Sequence, residues 1–219
     1  MKKRLCVFAS GSGTNMQAVM DEIDKGSING EIVLLVASAS NIGAIERAQK
    51  KGIPVRVFSK KDFATPQERD KAIVQVLKEF DVDYIILAGY LAILTKEIIS
   101  QYPNRIINIH PSLLPKFGGK GMYGINVHKA VIQAKEKYSG ATVHFVDEGA
   151  DTGPIILQRR IRVRPDDDEY TLQQKILTKI EHKLLPYVVK LLCEDRIKVI
   201  NNKVVIDYVD DNFLRGALI

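Results

Sequence analysis

Short apolar runs alternate with amphipathic segments through the first half of this chain, and few architectures accept that order. Residues 5–10 form an apolar run; residues 16–23 follow with Met16, Val19, Met20 and Ile23 at helical spacing. Residues 32–37 are uninterrupted apolar sequence, as in a strand covered on both faces. Residues 45–51 read as a short helix closed by Gly52 and Pro54, and residues 55–58 as a further strand. A longer helix is expected over residues 66–80, with Ile73, Val76, Leu77 and Phe80 on one face. Residues 84–88 and 106–109 complete five strands. This order predicts an α/β chain with a mostly parallel sheet and helices on both faces.

The second half has a different rhythm. Residues 142–146 and 155–163 are β-rich and close in sequence, which predicts antiparallel pairing at one side of the sheet. Thr171 with Gln174 reads as a capping box that opens a long helix toward Cys193, and Pro186 is expected to kink or divide that helix. Residues 197–200 and 204–207 flank Asn201 and Asn202, which tolerate positive φ and predict a two-residue hairpin. Together these features specify a Rossmann-like α/β fold with antiparallel strands toward the C-terminal half. No internal repeat, low-complexity tract or flexible linker interrupts it.

At 219 residues and 46% hydrophobic, the chain can bury a sizeable core. Lys2, Lys3 and Arg4 precede the apolar residues 5–9, but that run is too short for a signal peptide and no small-residue cleavage site follows. The segment reads as a first strand and the protein as cytoplasmic. Cys6 and Cys193 read as small buried hydrophobes, with no second cysteine at metal-ligand spacing. The formal net charge of +6 favours anionic partners without choosing among phosphate, an acidic ligand tail and RNA.

Three segments carry chemistry. Gly11, Ser12, Gly13, Thr14 and Asn15 lie between the first strand and helix, where glycines permit close backbone approach and helix amides favour an anion. The loop lacks the lysine of a Walker A motif and the third glycine of a dinucleotide fingerprint, and Thr14 or Asn15 could equally serve as a helix cap. A side chain at Gly13 would block the approach of a phosphate. Asn108 and His110 alternate on a strand, so they share a face, at the carboxyl end where open α/β sheets place ligands. An imidazole can exchange a proton near neutral pH and a carboxamide can donate to an oxyanion, a pair suited to attack on a carbonyl. Ser112 reads as a turn residue bonding backbone amides after Pro111. The acidic turn over residues 147–154 could supply a carboxylate that raises the pKa of His110; composition does not select among Asp147, Glu148 and Asp151. His128 is expected to pack or face solvent on a helix over residues 126–134, and His144 to be a strand residue with a structural partner. Four scattered histidines argue against a catalytic metal.

These segments resemble the folate-dependent formyltransferases: Gly-Ser-Gly-Thr-Asn at residues 11–15, Asn-Ile-His-Pro-Ser-Leu-Leu-Pro at residues 108–115 and Asp-Thr-Gly-Pro at residues 151–154. The glycine loop is similar to that of the branch acting on glycinamide ribonucleotide in purine synthesis. The resemblance runs to about Glu194. It implies a formyltransferase domain over residues 1–194 and a hairpin-and-tail extension over residues 195–219. It further implies direct acyl transfer from 10-formyltetrahydrofolate, with Asn108, His110 and Asp151 catalytic and no metal. Gly11, Ser12, Gly13, Thr14 and Asn15 would hold the substrate phosphate and Glu181 its ribose. Leu91, Ala92, Ile93 and Leu94, with Asn108, would contact the folate. The family's basic folate contact falls near Ala64, Thr65 and Pro66, with Lys60 and Lys61 upstream, and the glycine-rich residues 117–124 would form a mobile cover. The expected partners are a phosphorylated small molecule and folate, without nucleic acid or membrane, for a monomer or homodimer. Other activities of the superfamily remain as alternatives, namely formylation of methionyl-tRNA or hydrolysis of formyltetrahydrofolate. A catalytically silent nucleotide-binding module is the alternative from another class.

Overall fold

A computed structural model describes residues 1–207 and the strand Ala217–Leu218; the rest of the expected C-terminal tail lies outside the described residues. Two compact units divide the chain, Met1–Ile107 and Asn108–Ile219.

The first unit follows the strand–helix alternation of its sequence: β1 (Lys3–Ala9), α1 (Thr14–Asp24), β2 (Gly30–Ala37), α2 (Gly43–Lys50), β3 (Val55–Val57), α3 (Pro66–Glu79), β4 (Tyr84–Leu87), α4 (Lys96–Ile99) and the start of β5 (Ile106–His110). The strand order is β4-β1-β2-β3, and every one of these pairs is parallel. Leu5, Cys6, Val7, Phe8 and Ala9 of β1 are wholly buried, as their central position requires. Beyond the strand ends, the amide of Ser10 donates to the Gly89 carbonyl (3.1 Å) and the amide of Leu91 to Ser10 Oγ (3.0 Å). The loops after β1 and β4 are thereby tied together.

Helix α3 starts at Pro66, with Thr65 Oγ1 accepting from the Glu68 amide (3.2 Å) and the Glu68 carboxylate accepting from the Ala64 amide (3.2 Å). Its buried face differs from the expected apolar stripe. Ile73 and Leu77 are buried as expected, but so are Val74, Arg69 and Asp70, while Val76 and Phe80 are only half-buried. The two charged residues neutralise each other, which is why helix packing tolerates them.

The second unit holds the rest of β5, then α5 (Ile125–Gln133), β6 (Tyr138–Phe145), β7 (Ile155–Arg162), α6 (Glu169–Ile176), α7 (His182–Cys193), β8 (Ile197–Ile200), β9 (Lys203–Ile206) and β10 (Ala217–Leu218). Its order is β10-β7-β6-β5, with β6 and β7 antiparallel as predicted. The β6–β7 register slips between Val143 and His144, with Ile156 the extra residue on the β7 side.

Two helix expectations need correction. The capping box is formed by Asp168 and Thr171, not Thr171 and Gln174, so the helix begins at Glu169. Pro186 sits inside α7 without dividing it; the break is a π turn, Leu177–Glu181, directly before the helix. Proline cannot donate to the carbonyl four residues back, and the wide turn ends one residue before that carbonyl, His182. The hairpin matches its prediction: Asn201 (φ 51°) and Asn202 (φ 58°) turn β8 into β9. Neither cysteine forms a disulfide, and both are buried.

Candidate active site

Asn108 and His110 project from the end of β5 with Ile109 between them, and the loop after β6 delivers Asp151 to both. The Asn108 amide nitrogen lies 3.4 Å from Asp151 Oδ1, and His110 Nδ1 lies 3.6 Å from Asp151 Oδ2. Asp147 instead binds its own turn, accepting from Gly149 N (3.1 Å) and Thr152 Oγ1 (2.7 Å). Among the three acidic residues left open by the sequence, Asp151 is the one in this cluster.

The hydrogen bonds fix the tautomers. His110 Nε2 is 2.8 Å from the Phe117 carbonyl, an oxygen that only accepts, so Nε2 carries a hydrogen and Nδ1 is the nitrogen that titrates against Asp151. His144 Nδ1 likewise donates to the Phe145 carbonyl (2.8 Å), leaving Nε2 to accept from the Asn108 amide (3.1 Å). His144 Nε2 also stands 3.6 Å from Asp151 Oδ1. Asn108 thus spends its two N–H groups on His144 and Asp151, and the longer bond, to Asp151, is the one more easily exchanged.

Electrostatics modify one expectation. Asp151 does pull the His110 pKa upward, but burial of the ring outweighs it, and the net shift is below the usual histidine value. A charged ring loses more solvation here than one half-buried carboxylate returns. Burial alone would raise Asp151; interactions with His144, the Gly119 amide (2.9 Å) and His110 together hold it below the ordinary carboxylate range. At neutral pH the cluster therefore contains a neutral imidazole with a bare Nδ1 facing a carboxylate. That arrangement can accept a proton and then stabilise the resulting imidazolium.

Glycine-rich residues 117–124 lie against this cluster: Phe117 (φ 55°) bonds His110 and Gly119 (φ 90°) bonds Asp151. Ser112 is fully buried, and its hydroxyl donates to the carbonyls of Lys116 (2.7 Å) and Phe117 (3.4 Å) instead of accepting from the amides expected for it. Carbonyls left unpaired by the turn after Pro111 are its partners. His128 packs rather than facing solvent; its Nδ1 has no hydrogen-bond partner and burial pushes its pKa down to about 4. His144 was legible as a strand residue, but not as a partner of Asn108 and Asp151. Its sequence signal was a polar side chain inside a buried apolar strand, which must find a bond.

In the first unit, Gly13 caps α1 with φ 74° and no side chain caps that helix, so neither Thr14 nor Asn15 takes that role. A Cβ on Gly13 would lie 2.7 Å from Ala44 Cα, so glycine is required there by α2 packing, whatever approaches from outside. Gly11 has open space around it. In the segment after β4, Leu91 and Ile93 are exposed at 60% and 68%, while Leu94 is buried. Arg69 Nη2 donates to the Ile93 carbonyl (3.0 Å), and Thr95 N donates to Asp70 Oδ2 (2.6 Å). The segment is therefore an anchored, apolar ledge whose Leu91 and Ile93 face outward while Leu94 packs into the core. Lys60 and Lys61 are exposed in a short turn, Lys60–Asp62. Glu181 is buried at the end of the π turn, a local geometry frequent at functional sites. Among the described residues no three His, Cys, Asp or Glu side chains are grouped to hold a metal, and no helix is long and apolar enough to cross a membrane.

The sequence profile of the family described as formyl transferase matches residues 3–189. The chain is 46% identical to the chloroplastic phosphoribosylglycinamide formyltransferase of Arabidopsis thaliana over 90% of its own length and 68% of that protein. It is 35% identical to the phosphoribosylglycinamide formyltransferase of Haemophilus influenzae, covering 94% of each chain. The crystal structure of glycinamide ribonucleotide transformylase 1 from Symbiobacterium toebii superposes with a TM-score of 0.88 at 34% identity, again covering 94% of both chains.

Proposed function

The chain belongs to the formyl transferase family, and on that premise we propose that it moves the formyl group of 10-formyltetrahydrofolate onto the amine of 5′-phosphoribosylglycinamide, a step of purine biosynthesis. The observation that carries this reading is the meeting of one carboxamide, one imidazole and one carboxylate, with Asp151 within 3.4 Å of Asn108 and 3.6 Å of His110.

The amine nitrogen adds to the formyl carbon and the carbonyl electron pair moves onto oxygen. The proton lost by the amine passes to Nδ1 of neutral His110, and Asp151 stabilises the imidazolium. The Asn108 N–H spent on the 3.4 Å bond to Asp151 turns to the oxyanion. Collapse breaks the bond from the formyl carbon to the folate nitrogen, which takes the proton back from His110. No covalent intermediate forms on the chain, because the Ser112 hydroxyl is buried and bonded to backbone carbonyls.

In this reading the first-turn amides of α1 and the loop of Gly11, Ser12, Gly13, Thr14 and Asn15 receive the substrate phosphate, and Glu181 its ribose. The ledge of Leu91, Ala92, Ile93 and Leu94 receives the pterin, its exposed apolar side chains covering a flat ring. The reacting partners are two small molecules; no metal, nucleic acid or membrane is required, and the chain acts as a monomer or homodimer in the cytoplasm. Residues 1–194 carry the activity and residues 195–219 form an extension.

Turnover of the formyl donor, followed with and without 5′-phosphoribosylglycinamide, tests the assignment. Loss of donor is expected only with the amine present. Formate release without it would make the chain a hydrolase, and formylation of methionyl-tRNA in its place would make it a tRNA enzyme.

A second expected result separates the phosphate loop from the folate ledge. Gly13→Val cannot, because it collides with α2. Gly11→Ala meets nothing within 4 Å, so thermal unfolding stays unchanged. If a phosphate lies against that backbone, calorimetric affinity for the phosphorylated amine falls by about tenfold while folate affinity holds. Equal affinity for the phosphorylated amine in parent and variant would remove Gly11 from the phosphate site.

A further inference from the structure

Helix α2 holds the loop after β1 by two successive carbonyls. The Ala44 amide donates to the Gly11 carbonyl (3.1 Å), and Arg47 Nε donates to the Ser12 carbonyl (2.9 Å). Gly43 and Arg47 stand one helical turn apart on the same face of α2. A Cβ on Gly43 would lie 3.1 Å from the Ser12 oxygen, so glycine admits the close approach. Arg47 Nη1 also donates to Gln17 Oε1 (3.1 Å) on α1, and the Gln17 amide donates in turn to Asp21 Oδ1 (2.8 Å). Among the described residues no carboxylate pairs with the half-buried Arg47. The peptides of this loop are trans, and in a trans peptide the N–H points opposite to the C=O. With the Gly11 and Ser12 carbonyls both drawn to α2, the amides that share their planes, those of Ser12 and Gly13, are turned away from α2. Neither donates to an acceptor among the described residues. Successive amides turned to one side make a concavity for an anion, whereas a carbonyl turned to that side would repel it.

Resting on the reading above that this loop receives the substrate phosphate, we propose that Arg47 is the positioning residue of that site. Its bond to the Ser12 carbonyl keeps the Ser12–Gly13 peptide with its N–H toward the phosphate, and so sets the preference for a phosphorylated amine over the same amine without phosphate. The Ala44 amide cannot do this, because it holds the preceding peptide and leaves the Ser12–Gly13 plane to Arg47. The plane needs a restraint, since the residue that follows it is a glycine, whose backbone rotates with little steric resistance.

The kcat/KM of the full chain for 5′-phosphoribosylglycinamide, divided by that for the dephosphorylated ribosylglycinamide, measures this preference. In the parent a ratio of at least about 100 is expected, the worth of two charge-assisted hydrogen bonds. Arg47→Met keeps the packing of the side-chain stem and removes its donors. It should lower the ratio about tenfold, through the KM of the phosphorylated amine, while kcat and the KM of the formyl donor hold. Arg47→Lys keeps a donor and the charge, and should restore the ratio to within about threefold of the parent. A guanidinium that merely tied α2 to α1 would, on removal, weaken activity toward both amines alike or lower the melting temperature alone. Either result, or an unchanged ratio, overturns the proposal. A parent ratio near one overturns the phosphate reading of the loop itself, and the proposal with it.

Discussion

Asp151→Asn should leave the fold intact and reduce turnover by about 10²- to 10⁴-fold, the range of a lost acid–base group. Asp151 sits at φ 60°, a region asparagine occupies readily, and an asparagine oxygen can still accept from the Gly119 amide. What disappears is the negative charge facing His110 Nδ1 at 3.6 Å. The sign of the pH effect follows. Burial already depresses the His110 pKa, and Asp151 is the main force opposing it. Removing the carboxylate lowers the pKa further, so the acid limb of the rate profile moves to lower pH even as the plateau falls. Initial rates across pH 4–9, with circular dichroism as the control for folding, check both parts. Near-normal turnover, or an acid limb displaced upward, would remove Asp151 from the mechanism.

Asp70→Ala should cost about 3–5 kcal/mol of stability, the usual result of orphaning one member of a buried ion pair. Arg69 is 5% exposed and Asp70 fully buried. Asp70 accepts from Arg69 Nε (2.7 Å) and the Thr95 amide (2.6 Å), and Arg69 Nη2 approaches it at 2.6 Å. With the carboxylate gone, the guanidinium keeps only the Ile93 carbonyl and the Thr95 amide loses its acceptor. The double replacement Arg69→Met with Asp70→Leu should recover much of the loss, because two apolar side chains do not require each other's charge. Urea midpoints measure both variants. The single variant should also raise the KM for the formyl donor, since the same pair anchors the ledge of residues 91–94. A loss below about 1 kcal/mol would mean that water reaches the pair and that it does not hold the ledge.

The sequence was informative where periodicity and turn chemistry are local. The parallel order of the first unit, the β6–β7 pair and the Asn201-Asn202 hairpin follow from apolar spacing and positive-φ residues, which act within a few positions of themselves. The shared face of Asn108 and His110 followed from strand alternation alone. Arg69 and Asp70 were not legible, because two consecutive charges on a helix look like its wet face until a carbonyl and an amide some 25 residues later are brought to them. The π turn before α7 was equally hidden, since Pro186 predicts a disturbance but not where the helix takes it up.

The sequence by itself therefore determined the α/β architecture, the strand that carries Asn108 and His110, and, through the resemblance of three short motifs, the family. The tertiary structure decided which carboxylate faces His110, which nitrogen of that ring titrates, and that burial wins over Asp151 in setting its pKa. It also brought His144 of β6, and Asp151 of the loop after it, to the β5 pair tens of residues earlier in the chain. The division has one physical cause. Hydrophobic period is a property of neighbours in the chain, whereas proton affinity depends on desolvation and on charges within a few ångströms, and only folding sets those distances.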